Sequence, residues 1–433
     1  MKLALWLEEA KVQMKVFVFL IMTCFFVLTP LSGVGASEKV GVHVQGGDLP
    51  VAAEFEGGKL YYAGNFRIVE LSGSYHQMGR QYGGLLGKEI RGMASAVEEQ
   101  YALNGLKNRQ ASLADFSTKL FNLYPQRFKE LAKGMTETSQ VTPDRIAILN
   151  GFFDYALLGY SNLAFNNRCS AISVWGDYTA GNPLLIGRNF DFPAFFRNFD
   201  PYITVVAYNP SDSSLAAAVV AYPGQIGSIQ VFNNKGVVVE DNDGSSSGDP
   251  KRYFGERTPS FISDLEIALD QENLAGVDAA LQTRRLPYPL IFQAADSTQA
   301  YGYEMTTDTV MKRTENDAGL LVTVNHFINP KWKDAIPNKM DLPERVRDSE
   351  ERQQNMLALA ESYKNKFTPQ VVMKILDIPV EQGGPTPDDR SIYQFVFEPQ
   401  HGVLWLKARG YSDWTEIHLA NYLHAYQGSN SSR

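Results

Sequence analysis

Asn166-Asn167-Arg168-Cys169-Ser170-Ala171-Ile172-Ser173-Val174-Trp175, followed eighteen residues after the cysteine by Gly187-Arg188-Asn189-Phe190-Asp191-Phe192, is the stretch on which the fold turns. Residues 169–175 read as a strand, 177–183 as a turn and 184–192 as a second strand. A hairpin of that shape sets Arg188 and Asp191, three residues apart, on the strand beside Cys169. The polar neighbours at 166–170 point to a thiol that is not deeply buried.

The chain holds two cysteines, Cys24 and Cys169. Cys24 lies within an apolar, uncharged run at 16–31, preceded by Lys11 and Lys15, broken near its end by Pro30 and followed by Gly33 and Val34-Gly35-Ala36. That order is the one a secretory signal needs, with cleavage after Ala36. The run is shorter than the roughly 20 residues that cross a bilayer, so residues 1–36 are expected to leave as a signal peptide, with no stable membrane anchor behind. Met14 is an alternative start, since the segment before it carries Glu8 and Glu9. The mature, secreted or extracytoplasmic chain then keeps Cys169 as a lone thiol, without an internal disulfide. An Asn-x-Ser acceptor occurs at Asn430, next to the C-terminus.

Of the 433 residues, 44% are hydrophobic and 20% charged, which predicts a sizeable core and argues against disorder. The net charge of −8 and the lack of long Lys/Arg clusters argue against nucleic acid as a partner. No cluster has metal-ligand spacing, so neither metal nor organic cofactor is expected.

A nucleophilic thiol needs a base. His43, His76, His326, His401, His418 and His424 are candidates, but Cys169 opens a strand, not the helix from which Cys–His proteases draw a lowered thiol pKa. A second route needs no histidine. Cleavage of the Arg168–Cys169 bond would give Cys169 a free α-amine, with an ordinary pKa of about 7.7–8.0 against about 8.5 for the thiol. The amine would take the thiol proton. A carboxylate such as Asp191 would hold the amine, and a cation such as Arg188 would favour thiolate.

Around this hairpin the pattern reads as an α+β layered fold. Residues 37–57 form an extended lead-in and 60–71 a strand. Helices come next at 76–103, where Gly79, Gly83, Gly84 and Gly87 suggest close packing, then at 113–136 and from Thr142-Pro143 to about 158. Beyond the hairpin come strands at 202–208, 216–222, 227–232 and 237–240, and one or two helices at 260–283. A meander at 290–324, helices at 343–363 and 368–376, and a closing hairpin at 392–409 complete the chain. Phe190, Phe192, Phe195 and Phe196 are candidates for an acyl pocket or for core.

Taken together, Cys169-Ser170, the Gly-containing turn and the 187–192 segment resemble the N-terminal-nucleophile (Ntn) hydrolases of the choloylglycine hydrolase superfamily. Gly73-Ser74-Tyr75-His76-Gln77-Met78-Gly79-Arg80-Gln81-Tyr82-Gly83 is similar to the segment before the nucleophile in its isopenicillin N acyltransferase-like peptidase branch. The resemblance runs from about residue 60 to the C-terminus. It implies a four-layer αββα sandwich, with a mostly helical pro-segment at 37–168 and a catalytic part at 169–433. By the same resemblance Cys169 is the nucleophile, Arg188 its neighbouring cation and Asp191 the carboxylate for the amine. Asn325, ending Leu321-Val322-Thr323-Val324-Asn325, completes the site. Asn242 matches the oxyanion asparagine, with Asn233 or Asn234 as alternatives because the spacing from Gly236 is one residue short. Arg352, in Ser349-x-x-Arg352, matches a late active-site arginine. The implied function is an exported amidohydrolase that matures by cleavage at Arg168–Cys169 and cleaves a linear, small-molecule N-acyl amide through a thioester. Acyl transfer to an amine and a non-catalytic binding role are the alternatives.

Overall fold

Two β-sheets lie face to face, and helices cover both outer faces. In this computed structural model the chain divides into a unit Met1–Val40 and a unit Gly41–Arg433. The residues described are 41–43, 49–101, 110–160, 169–313, 319–333, 335–336 and 343–427. The expected signal segment, Cys24, Arg168 and Asn430 lie outside them.

The strands are β1 Val42–His43, β2 Ala53–Phe55, β3 Gly58–Ala63, β4 Phe66–Gly73, β5 Ser170–Val174, β6 Leu185–Asp191, β7 Thr204–Pro210, β8 Ala217–Ala221, β9 Gln230–Asn233, β10 Val238–Asp243, β11 Leu290–Ala295, β12 Ala300–Met305, β13 Val310–Lys312, β14 Leu320–Thr323, β15 Ser391–Glu398, β16 Val403–Ala408 and β17 Ser412–His418. The helices are α1 Tyr75–Tyr101, α2 Gln110–Asn122, α3 Gln126–Ser139, α4 Pro143–Tyr160, α5 Ser260–Asp270, α6 Leu274–Thr283, α7 Pro343–Ser362 and α8 Pro369–Asp377.

One sheet runs β1-β17-β16-β15-β6-β5-β14 and the other β13-β12-β11-β10-β9-β8-β7-β4-β3-β2. Their inner faces meet through aromatic contacts. Phe232 of β9 packs on Phe397 and Phe395 of β15, with ring centroids 4.6 and 5.5 Å apart. Helices α7 and α8 lie on the first sheet, while α1, α5 and α6 lie on the second, with α3 and α4 packed on α1. The result is an α+β, αββα sandwich. No helix among the described residues is long and apolar enough to cross a membrane.

Several elements differ from their sequence reading for local reasons. Residues 60–71 are two strands, because the chain reverses at Gly64, whose φ of +54 suits glycine. The helix expected at 113–136 breaks before Pro125, which caps α3. The meander from 290 does not stay in one sheet: β14 leaves its neighbours and pairs with β5 in the other sheet. The closing hairpin gains a third strand, β17.

Strands from before and after Cys169 share a sheet, since β4 pairs in parallel with β7 from Arg67↔Thr204 to Gly73↔Pro210. Helix α1 crosses α3 at bare backbone: a Cβ on Gly79 would sit 1.9 Å from the Leu131 carbonyl oxygen, and one on Gly134 would sit 2.1 Å from that of His76.

Candidate active site

The β5–β6 hairpin pairs Ser170 with Asn189 and Ala171 with Arg188. Gly187 faces α8, where a Cβ would lie 2.3 Å from Val372 Cγ1. Alternation along the strand then turns Arg188 toward the opposite sheet, where its guanidinium donates to the Glu240 carboxylate and to the Asp241 carbonyl oxygen, both on β10. Arg188 and Glu240 are both buried, so the cation is neutralised across the two sheets. The Arg188 Nε has no partner among the described residues.

Cys169 is only 4% exposed, which corrects the expectation from its polar neighbours. The inner faces of both sheets converge on it, and this long-range packing outweighs the short polar stretch before it. Its Sγ donates to the Asp191 carbonyl oxygen at 3.8 Å. Burial pushes the thiol up to about 11, while Arg188 and Arg352 pull it down and the Asp191 carboxylate pushes it further up. Desolvation therefore outweighs the two cations.

Asp191 is fully buried. Its Oδ1 accepts from Ser391 Oγ at 2.5 Å, and its Oδ2 has no partner among the described residues. Burial pushes this carboxyl up to about 7, against the pull of the Ser391 hydroxyl and of Arg352, Arg188 and Arg409.

Arg352, buried on α7, ties the strand start to Asn325. Its Nη1 donates to the Cys169 carbonyl oxygen at 2.8 Å and its Nη2 to Asn325 Oδ1 at 2.9 Å. It also pairs with Asp348 at 3.3 Å. One turn earlier on the helix, Ser349 Oγ accepts from the Asn325 backbone N–H at 2.8 Å. The same Ser349 Oγ is hydrogen-bonded with His326 Nδ1, also at 2.8 Å. Burial lowers the His326 pKa to about 4, with Arg352 and Arg313 adding to the effect, so the ring is neutral. Asn325 Nδ2 donates to the Asp243 carbonyl oxygen at 2.9 Å, and Ser246 Oγ donates to the Asn325 carbonyl oxygen. The i, i+3 spacing of Ser349 and Arg352 thus serves one asparagine from two sides.

Asn242 is buried, with Nδ2 donating to Thr323 Oγ1 at 3.2 Å and Oδ1 unpartnered among the described residues. Thr323 passes the chain to Gln293 Oε1, and Gln293 Nε2 to Ser173 Oγ, so these bonds stitch the two sheets beside the hairpin. Asn233 and Asn234 do not join it. Asn233 holds its own turn and the end of α5 through Ala268 and Gln271, and Asn234 donates to the His424 carbonyl oxygen. His76, His401, His418 and His424 each pair with a carboxylate away from Cys169. The described residues hold no group of three or more His, Cys, Asp or Glu arranged for a metal.

Beside the sulfur lies a small cleft lined by Phe153, Phe190, Phe192, Phe261 and Tyr288, together with Asp241 and Asp243. Phe196 belongs to the core, stacked on Phe153 at 4.9 Å. Phe153, Phe261 and Tyr288 carry no pattern in the sequence that marks them as pocket walls. Glu240, Ser246 and Ser391 are likewise unmarked there, because each meets the site through pairing of distant strands and loops.

No protein-family model matches the chain, and no curated protein matches its sequence. Among solved structures, the chain is similar to an acid amidase, an acylase and a bile acid hydrolase. One is the Caenorhabditis elegans ortholog of N-acylethanolamine-hydrolyzing acid amidase, at 14% identity and TM-score 0.37 over 53% of this chain and 93% of that one. A second is penicillin V acylase from Agrobacterium tumefaciens, at 12% identity and TM-score 0.41 over 58% and 86%. A third is a single-substitution variant of conjugated bile acid hydrolase from Clostridium perfringens, at 11% identity and TM-score 0.39 over 58% and 93%.

Proposed function

We propose that the protein is an exported cysteine amidohydrolase that frees Cys169 by cutting its own Arg168–Cys169 bond and then cleaves linear N-acyl amides. The observation that carries this reading is the vacant acceptor on Asp191. Its buried Oδ2 lacks a partner among the described residues, and its backbone carbonyl accepts from the Cys169 thiol. A buried carboxylate oxygen without a donor is costly, and an ammonium on Cys169 is the donor that would satisfy it.

In the precursor the thiol attacks the Arg168 carbonyl carbon. The C–N bond breaks, the nitrogen takes the thiol proton and becomes the Cys169 amine, and water hydrolyses the resulting thioester. In the mature enzyme that amine serves as the base that takes the thiol proton. Sulfur attacks the substrate carbonyl, the ammonium returns its proton to the departing amine, and water releases the acid from the second thioester. Asp191 and Arg352 hold Cys169 by its sulfur and its carbonyl oxygen, and Asn242 and Asn325 offer amide groups for the oxyanion. The aromatic cleft takes the acyl group.

Intact-mass measurement of the purified protein tests the reading. The active species is expected to contain a fragment beginning at Cys169, C169S to mature poorly, and C169A to stay full-length and inert toward a panel of N-acyl amides. Amide cleavage by an uncut chain, or by C169A, overturns it. N-terminal sequencing of protein recovered outside the cytoplasm tests export.

A further inference from the structure

We propose that Ser391 is a positioning residue for this reaction: its hydroxyl holds one Asp191 oxygen so that the other points at the Cys169 amine. The inference rests on the function proposed above.

A shift in strand register creates the contact. Along β15 and β6 the ladder runs regularly from Phe397↔Ile186 to Tyr393↔Phe190. Continued, it would set Ile392 against Asp191. Instead the register shifts, and Ser391 stands opposite the carboxylate. Bulges of this kind re-aim side chains next to active sites. Ser391 is itself held on both sides of its backbone. Its N–H donates to the Pro387 carbonyl oxygen at 3.2 Å, and its carbonyl accepts from Arg197 Nε at 3.2 Å. The adjacent Phe192 N–H donates to the Arg390 carbonyl oxygen at 3.0 Å, which pins the end of β6 as well. Two short, anchored backbones therefore present the Ser391 hydroxyl to one Asp191 carboxylate oxygen.

The effect is selective for one oxygen. With Oδ1 occupied, the carboxylate cannot rotate without losing its bond, and Oδ2 keeps its direction. The charges that face Asp191 are Arg188 from β6, Arg352 from α7, Arg409 beyond β16 and the Cys169 thiol itself. Arg188 gives its bonds to Glu240 and the Asp241 carbonyl, Arg352 to Asp348, Asn325 and the Cys169 carbonyl, and Arg409 to Asp388. These cations act on Asp191 through their field, whereas the serine hydroxyl favours its ionised form by a direct hydrogen bond at this depth.

Alkylation of Cys169 by iodoacetamide, followed by mass across pH, reads the consequence without a known substrate. The thiolate–ammonium pair of Cys169 needs ionised Asp191. Loss of a hydrogen bond to a charged group raises the carboxyl pKa, so the acidic limb of the alkylation profile in S391A is expected about one pH unit higher. S391T, which keeps the hydroxyl, is expected to restore the limb. S391C, close in size and a weaker donor, should lie between and serves if S391A does not fold. A limb unmoved in S391A or S391C overturns the proposal, and so does one displaced equally in S391T. If C169A matures or cleaves amides, the functional reading itself has failed. If C169A is inert and the S391A limb is unmoved, only the role of Ser391 falls.

Discussion

At the scale of single residues, the site is governed by the surroundings of each buried charge. Arg188 looks from the sequence like the companion of Asp191, yet it spends its strong bonds on Glu240 and the Asp241 carbonyl in the opposite sheet. Removing one member of a buried pair leaves the other uncompensated. E240Q is therefore expected to lower stability by about 3–5 kcal/mol, seen as a lower urea midpoint. The same change strengthens the field of Arg188 at Cys169, so the thiol pKa should fall, seen as faster alkylation at fixed pH. The trio Cys169, Arg188 and Asp191 is legible in the sequence because a short hairpin brings it together through local spacing. Glu240 and Ser391 are not, because their approach depends on how sheets stack and on a register shift some two hundred residues away. Cys169 is buried against expectation for the same reason: its neighbours in sequence are polar, and its neighbours in space are aromatic rings.

Among the elements, α4 carries a separate burden. Asp154, on this helix, is fully buried and neither carboxyl oxygen has a partner among the described residues. Burial raises its pKa to about 7. Because the folded value lies above the unfolded one of about 3.9, the folded state holds the proton more tightly. Asp154 thus does not oppose folding below about pH 4, and its contribution is lost as pH rises from about 4 to about 7. D154N removes that titration. The variant should gain on the parent by a few kcal/mol (roughly three pKa units at about 1.4 kcal/mol each) between about pH 4 and about pH 8 in urea unfolding. A constant difference across that range would contradict the assignment. The Thr142-Pro143 start places α4 correctly, but a lone aspartate in it reads as an ordinary polar position until its neighbours are known. The α1–α3 crossing is easier to anticipate, since clustered glycines at 79–87 have few uses other than close backbone approach.

For the molecule as a whole, the proposed cut at Arg168–Cys169 falls between parts that share one sheet. The seven-residue parallel ladder of β4 with β7 joins the segment before Cys169 to the segment after it, and α1 packs on β3 and β4. The two fragments are accordingly expected to co-elute as one particle in native size-exclusion chromatography and to separate only in denaturant. Elution of the N-terminal fragment alone would contradict this. The layered class is legible from strand blocks alternating with helices. The crossing of β14 between sheets is not, because a run of strands looks alike whether it continues one sheet or changes partner.

If the chain is cut as proposed, that shared ladder would carry a cost. In the intact chain, β4 finds β7 along a tether; were the tether cut, the same pairing would become a meeting of two separate molecules, without the entropic advantage of a closed loop. Heat or urea would then let the halves diffuse apart, and reassembly would depend on concentration. The processed enzyme would be durable because it comes apart slowly, and its inactivation would be, at dilution, a one-way event.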